Sequence, residues 1–332
     1  MSCYRLVIMA AIVMSLARPG YAQHTPEDLL KAVVKIRAIV PEGARSAEFL
    51  GTEREGNGVV IDPEGLVLTI GYLILEAESI KVIGQDDQEV EAAYVAYDHI
   101  TGLGLVRAKA PLDTAPMQLG ESSGLSVRDP ILVASHGGPD AVLGARVVAR
   151  QEFAGYWEYL LEDAIFTSPP HPAFGGAALI DTSGKLVGIG SLLTQVKIPG
   201  LGSIHANMFV PIDGLKPILG DLLATGRPPH PPRPWLGVYT EETHGRVFVI
   251  RVLAGGPAER AGLRAGDIIL GVGKRPVSGL GDFYRQLWSL GPAGAEVPLR
   301  VLQGLEIKDV IVSSVDRQQF FRLSPKEGGK PL

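Results

Sequence analysis

Short apolar runs separated by turn residues fill the chain between residues 56 and 211. In HPAFGGAALIDTSGKLVGIG (residues 171–190), the apolar runs AALID and LVGIG flank the polar turn DTSGK. Two such runs around a turn predict a β-hairpin. GNGVVIDPEGLVLTI, DPILVASHGG and ARVVARQEF repeat the same alternation of apolar run and turn. Many short strands at close spacing favour a mainly β fold, either a barrel or a sandwich.

Two segments have a helical pattern instead. TPEDLLKAVVKI has Thr25 as an N-cap and Pro26 at the first helical position, which predicts a short helix leading into a strand near Val33. In DGLKPILGDLL, Leu215 and Leu222 mark the ends of one apolar face. The spacing predicts a helix that packs on the barrel.

A change of composition divides the chain. ATGRPPHPPRP (residues 224–234) is rich in proline and predicts a semi-rigid linker. We therefore expect a β-barrel domain over residues 23–223 and a compact second domain over 235–315. The last segment, 316–332, ends in SPKEGGKPL and is predicted to be a flexible tail.

The first 22 residues are predicted to be a secretory signal peptide. Arg5 precedes the apolar run LVIMAAIVMSLA, and the small residues Gly20 and Ala22 suit cleavage after Ala22. The alternative is an uncleaved anchor, but Arg18 shortens the run below the roughly 20 residues of a membrane-spanning helix. The only cysteine, Cys3, lies in this segment. The sequence thus predicts a periplasmic or secreted protein with no stable membrane span after cleavage.

Composition restricts the function classes further. The chain of 332 residues is 46% hydrophobic and 20% charged, as is typical of a soluble globular protein. Its formal net charge is −5 and no basic run stands out, which argues against a nucleic-acid partner. No cofactor is predicted.

Several motifs together resemble the HtrA/Deg family of periplasmic serine proteases. WLGV and GGPAERAGLRAGDIILGVGKRPV follow the family pattern in the second domain, and GNGVVIDPEGLVLTI and ESSGLSVRDPILVAS follow it in the first. The resemblance implies a chymotrypsin-like double β-barrel followed by a C-terminal PDZ domain. Relatives in this family usually trimerise, so a homo-oligomer is a further expectation, although the sequence leaves the oligomeric state open.

The catalytic residues of that family do not appear at the matching positions. A serine protease needs a serine nucleophile, a histidine base and an aspartate that orients the histidine. At the three corresponding positions this chain has Gly175, Tyr72 and Gly102, in that order. The backbone N–H groups of Ala173 and Gly175 could still form an oxyanion hole. The resemblance therefore implies a degenerate member, a pseudoprotease that is not an enzyme.

The PDZ motifs, by contrast, are intact. By resemblance, the loop of residues 235–238 would hold a peptide carboxylate with its backbone amides, and the helix of residues 279–289 would form the apolar wall of the groove. The predicted peptide-binding residues are Trp235, Leu236, Gly237, Val238, Phe283 and Leu287. The alternative is a PDZ domain that packs only against its own barrel or tail.

These observations predict an exported HtrA-like pseudoprotease that binds C-terminal or extended peptide segments as an adaptor, a scaffold or a chaperone-like factor. One alternative is an active serine endopeptidase with a non-standard catalytic group. Another is a metal-binding scaffold on the barrel that uses two of the scattered histidines His99, His136, His171 and His205, although no metal site is predicted from their spacing.

Overall fold

The computed structural model describes residues 26–321. The predicted signal segment and residues 322–332 of the predicted tail lie outside the described residues. Within this range the fold is mainly β, as the sequence predicts: two closed six-stranded barrels precede a smaller sheet. Within the same range, no helix combines the length and apolar character needed to cross a membrane.

The first barrel closes in the strand order β1-β2-β3-β6-β5-β4. Alternate apolar side chains of these strands fill its interior, and Ile36, Leu68 and Leu105 are among the largest fully buried ones. Its strands are β1 (Val33–Ile39), β2 (Glu53–Val60), β3 (Leu66–Ile70), β4 (Ser79–Ile83), β5 (Glu89–Tyr97) and β6 (Leu103–Ala108).

The second barrel closes in the order β10-β11-β12-β9-β8-β7. The predicted hairpin at residues 171–190 is confirmed: β10 pairs antiparallel with β11, and the Asp181 side chain accepts hydrogen bonds across the polar turn. The strands are β7 (Pro130–Ala134), β8 (Val142–Gly155), β9 (Tyr159–Ser168), β10 (Ala178–Ile180), β11 (Leu186–Ile198) and β12 (Gly202–Pro211).

The C-terminal sheet has the order β13-β14-β15-β17-β18, with the short β16 paired to β15, so β13 is an edge strand. A fully buried cluster that includes Phe283, Tyr284 and Val301 forms its core. The strands are β13 (Val238–Thr243), β14 (Arg246–Val252), β15 (Ile268–Val272), β16 (Arg275–Pro276), β17 (Glu296–Gln303) and β18 (Glu306–Ser313).

Six α-helices lie among the described residues: α1 (Pro26–Lys31), α2 (Ala47–Leu50), α3 (Leu219–Thr225), α4 (Pro257–Arg260), α5 (Leu280–Trp288) and α6 (Arg317–Phe320). The helix expected from Leu215 begins only at Leu219. Pro217 lies inside that stretch, and proline has no N–H to donate and disfavours the helical conformation of the residue before it.

The start of the predicted tail is structured. Asp316 caps α6 by accepting a hydrogen bond from Gln318 N, and it forms an ion pair of 2.8 Å with Arg227 of the linker. Phe321 is buried against the Trp235 ring. The segment 316–321 thus packs on the start of the C-terminal domain. The composition of the tail, by contrast, predicts that this segment is flexible.

Candidate functional site

The three positions that correspond to a protease triad lie together between the barrels. Gly71 N, beside Tyr72, donates to Gly102 O at 2.8 Å. The Tyr72 hydroxyl donates to Ser191 O in the second barrel at 3.0 Å. A Cβ atom added to Gly175 would lie 2.8 Å from that same hydroxyl oxygen. These contacts place all three residues in one cleft.

Asn57 on β2 fixes the loop that contains Gly175. Its backbone N–H and its side-chain amide both donate to Gly175 O, at 2.8 and 3.0 Å, and the side chain also donates to Ala173 O at 2.9 Å. Asn57 Oδ1 accepts from His136 N at 2.9 Å. One buried amide side chain on β2 thereby joins the loop of residues 173–175 to the loop of His136, which holds the backbone of Gly175 in place.

The side chains of this cleft offer little proton-transfer chemistry. Burial raises the pKa of Tyr72 far above its ordinary value, so its hydroxyl stays protonated and acts as a donor. The Ala173 N–H points at His171 Nδ1, 3.1 Å away, so the predicted pair of oxyanion donors does not converge. The His99 ring lies beside that of Tyr97, with ring centroids 4.2 Å apart and planes tilted by 48°, and burial lowers its pKa well below 6.5.

The histidines considered for a metal site do not come together. His171 Nε2 contacts Ala141 O, and His136 Nε2 contacts Gly84 O. His205 Nε2 lies 3.4 Å from Gln195 Nε2, a side chain on the neighbouring strand β11. Among residues 26–321, no group of three or more His, Cys, Asp or Glu side chains is placed to bind a metal ion.

The predicted carboxylate loop of the PDZ domain does hold a carboxylate. Leu236 N donates to Glu158 Oε2 at 2.9 Å, and Gly237 N and Val238 N donate to Glu158 Oε1 at 2.7 and 3.0 Å. Gly237 has a φ of 78°, which orients its amide toward the same point as its neighbours. Three consecutive N–H groups converging on one anion form a nest that suits a carboxylate.

Behind this loop lie the apolar residues that the sequence predicts for the groove. Phe283 and Leu287 of α5 are fully buried in one cluster with Leu236 and Val238. The Trp235 ring packs mainly on Phe320 and Phe321 in a separate cluster, and its edge lies beside Gly237. The structure thus groups the other five predicted residues around the carboxylate loop, whereas the Trp235 ring lies between that loop and the C-terminal helix.

Glu158 is the functional residue that sequence reasoning missed. It lies in the tight turn between β8 and β9, with a left-handed φ of 55°, and is buried. Burial raises its pKa to about 7, although the three amides and Arg317 favour its charged form. In the sequence YWEYLLED it resembles any polar residue of a strand, since nothing local to it indicates a partner 78 residues or more away.

Comparison with known proteins agrees with this architecture. Residues 56–189 match the model of the trypsin-like peptidase domain, and residues 234–316 match that of the PDZ domain. A probable periplasmic serine endoprotease DegP-like of Pseudomonas fulva is 26% identical over 285 residues, which cover 80% of this chain and 57% of that protein. Serine protease PepD of Mycobacterium tuberculosis is 28% identical over 289 residues, covering 79% and 61%.

The solved structure of the HtrA-type protease AlgW with a decapeptide has the same fold. Its TM-score is 0.52 at 22% identity, and the match covers 88% of this chain and 99% of that one. The chain spans only about 60% of the length of the curated relatives it matches.

The prediction that the chain is not an enzyme is contradicted by these relatives, which are named serine proteases or endoproteases. That prediction rested on Tyr72, Gly102 and Gly175 alone. These three residues rule out an orthodox Ser-His-Asp triad at these positions. They say nothing about a nucleophile elsewhere in the cleft. The chain thus combines a match to a trypsin-like peptidase domain with a match to a PDZ domain that follows it, and the relatives it resembles are named serine proteases.

Proposed function

We propose that this chain is an exported HtrA-like protein that captures extended peptide segments, and in particular their C-terminal carboxylates, through its PDZ domain. The observation that carries the proposal is the convergence of Leu236 N, Gly237 N and Val238 N on a carboxylate, with all three distances at 3.0 Å or less. A peptide terminus presents the same chemical group to such a loop.

The rest of the groove supports the same function. β13 is an edge strand, so its outer N–H and C=O groups can pair with an added peptide strand. Phe283 and Leu287 share a buried apolar cluster with Leu236, Val238 and Leu160 of the barrel, and displacement of Leu160 would open that cluster to a peptide side chain. An apolar side chain at the end of the peptide is the natural complement of that surface. We therefore propose the five grouped residues, 236–238 with Phe283 and Leu287, as the peptide-binding set.

Export is proposed on two grounds. Relatives are named periplasmic, and the amino-terminal sequence has the pattern of a signal peptide.

The binding test should vary the peptide, because Gly237 does not tolerate replacement. Its φ of 78° is strained for any other residue, and a Cβ there would lie 3.2 Å from the Trp235 ring. Titration of the full chain with a peptide that ends in a free leucine carboxylate is expected to saturate. The same peptide with a C-terminal amide should bind at least about tenfold more weakly, because an amide lacks the charge that the three N–H groups stabilise. Equal affinity for the two peptides would contradict carboxylate recognition.

Peptide-bond hydrolysis is the second candidate function, and the names of the relatives favour it. Since Gly175 has no side chain, a nucleophile in this chain must be another residue of the cleft. We expect incubation with an unfolded substrate such as casein, followed by labelling with a serine-directed phosphonate and mass spectrometry, to identify that residue. Hydrolysis should disappear when the labelled residue is replaced by alanine. Casein that stays intact beside a catalytically active relative as positive control would reject this candidate.

A further inference from the structure

The turn between β8 and β9 fills the groove in the manner of a bound peptide. Besides the three bonds to Glu158, the backbone of Thr240 donates to Tyr156 O at 2.8 Å. Val238 and Thr240 are two residues apart on the edge strand β13, so their N–H groups point to the same side. Residues 156–158 therefore occupy consecutive outward-facing donors of the edge strand to which a peptide would add.

The helix on the other side of the groove also binds this turn. The Tyr284 hydroxyl of α5 donates to Gly155 O at 2.8 Å and accepts from Glu158 N at 3.1 Å. Leu160 is buried in the same cluster as Leu236 and Leu287. The turn and the start of β9 thus supply the two features of a PDZ ligand, the Glu158 carboxylate in the amide loop and the Leu160 side chain in the apolar cluster.

Outside the groove the contact is reinforced by charge. Arg285 of α5 forms an ion pair with Glu152 on β8. The left-handed backbone conformation of Glu158 is unfavourable for a non-glycine residue. The three hydrogen bonds from the amide loop to its side chain stabilise the turn in this conformation.

We propose that residues 156–158 are an internal ligand of the PDZ domain and that an external peptide binds by displacing Glu158 from the carboxylate loop. This inference rests on the proposed peptide binding and specifies how it is regulated. The arrangement agrees with the alternative, weighed from the sequence, of a PDZ domain packed on its own barrel, and here that packing uses the ligand site itself.

Displacement has a quantitative consequence. If the loop is vacant in only a fraction of molecules, the apparent Kd for an external peptide rises by the inverse of that fraction. A vacant state populated at roughly 1–10% would weaken binding by about 10- to 100-fold. Removal of the Glu158 carboxylate should therefore strengthen binding of the external peptide by the same factor.

The first experiment compares full-length wild type, Glu158→Ala, Glu158→Gln and Glu162→Ala in titrations with one peptide that ends in a leucine carboxylate. Glu162 is an exposed residue of β9, the strand that follows the turn, and serves as the matched control. We expect Glu158→Ala to bind about 10- to 100-fold more tightly than wild type. Glu158→Gln keeps the shape of the side chain and should show a smaller gain, and Glu162→Ala should equal wild type. Circular dichroism verifies that each variant is folded.

Wild type and Glu158→Ala binding the peptide with the same Kd would overturn the internal-ligand proposal and leave peptide binding intact. Failure of every variant to bind would overturn peptide binding itself, and the internal-ligand proposal with it. Hydrogen exchange of the full chain gives a second readout. Saturating peptide should accelerate exchange of backbone amides in residues 153–162, whereas unchanged protection there with peptide bound would show that the turn is not displaced.

Discussion

Replacing Gly176 by alanine is expected to lower the free energy of unfolding by about 3–5 kcal/mol. A Cβ at this position would overlap the carbonyl oxygen of Asn57 and lie 2.9 Å from Thr69 Oγ1. Both atoms are fixed, because Thr69 donates to that same Asn57 oxygen at 2.6 Å. The φ of 75° at Gly176 adds left-handed backbone strain. The cleft would have to open between its two barrels to admit one methyl group.

Gly144→Ala is the matched control, since a Cβ there has no atom within 4 Å among those described and the residue lies exposed on β8. Its stability should change by less than about 0.5 kcal/mol. Urea denaturation of both variants and wild type, followed by fluorescence and circular dichroism, measures the difference. Unfolding free energies of Gly176→Ala and Gly144→Ala that differ by less than about 1 kcal/mol would contradict the close approach of Gly176 to Asn57.

The strands could be predicted from sequence because their signals are local. The hairpin around residues 181–184 requires only two apolar runs and a turn, and both occur within 20 residues. The short helix Pro257–Arg260, with proline at its first position, and the buried Leu263 that follows it also depend on neighbouring residues. Where the prediction differs from the structure, one residue such as Pro217 interrupts an otherwise regular pattern.

Long-range packing explains what the sequence could not supply. The sequence places Phe321 in a polar tail. It is nevertheless buried, because it packs on the apolar ring of Trp235, which lies 86 residues earlier in the chain. In the cleft, the motifs singled out Tyr72, Gly102 and Gly175, which lie near one another in the structure. It gave no indication of Asn57, whose role depends on loops more than 70 residues away.

The same reason applies to Glu158. Its partners, Leu236 to Val238, follow in the chain by 78 to 80 residues, beyond the linker. In the sequence, a glutamate beside apolar residues is compatible with a solvated strand end. Glu158 reaches the carboxylate loop only because the two domains dock against each other. The carboxylate loop itself was predictable because a short motif specifies its backbone.

Replacing Glu158 by glutamine is expected to remove a pH dependence of stability worth about 3 kcal/mol. Burial raises the pKa of Glu158 from its ordinary value of 4.5 to about 7. Between these two values the folded chain keeps a proton that the unfolded chain has lost. The stabilisation from this group is therefore complete below about pH 4.5 and is lost as the pH rises through about 7, with no further change above.

The groups that face Glu158 set this balance. Leu236, Gly237 and Val238 donate their amides to it, and the positive charge of Arg317 also lowers its pKa, but loss of solvent outweighs all of them. The Tyr284 hydroxyl accepts from Glu158 N and lies 2.9 Å from the Thr240 hydroxyl, and neither hydroxyl carries a charge at neutral pH. Arg227, Arg233 and Asp316 line the same cavity, and the first and last of these form an ion pair.

Because glutamine stays neutral at every pH, the difference in unfolding free energy between wild type and Glu158→Gln isolates this one titration. We expect wild type to lose about 3 kcal/mol relative to Glu158→Gln between pH 4.5 and pH 8. A wild-type stability that rises with pH relative to Glu158→Gln would mean that the amides hold the carboxylate more strongly than burial opposes it. The turn would then be docked most firmly at high pH, and an external peptide would displace it most readily at low pH.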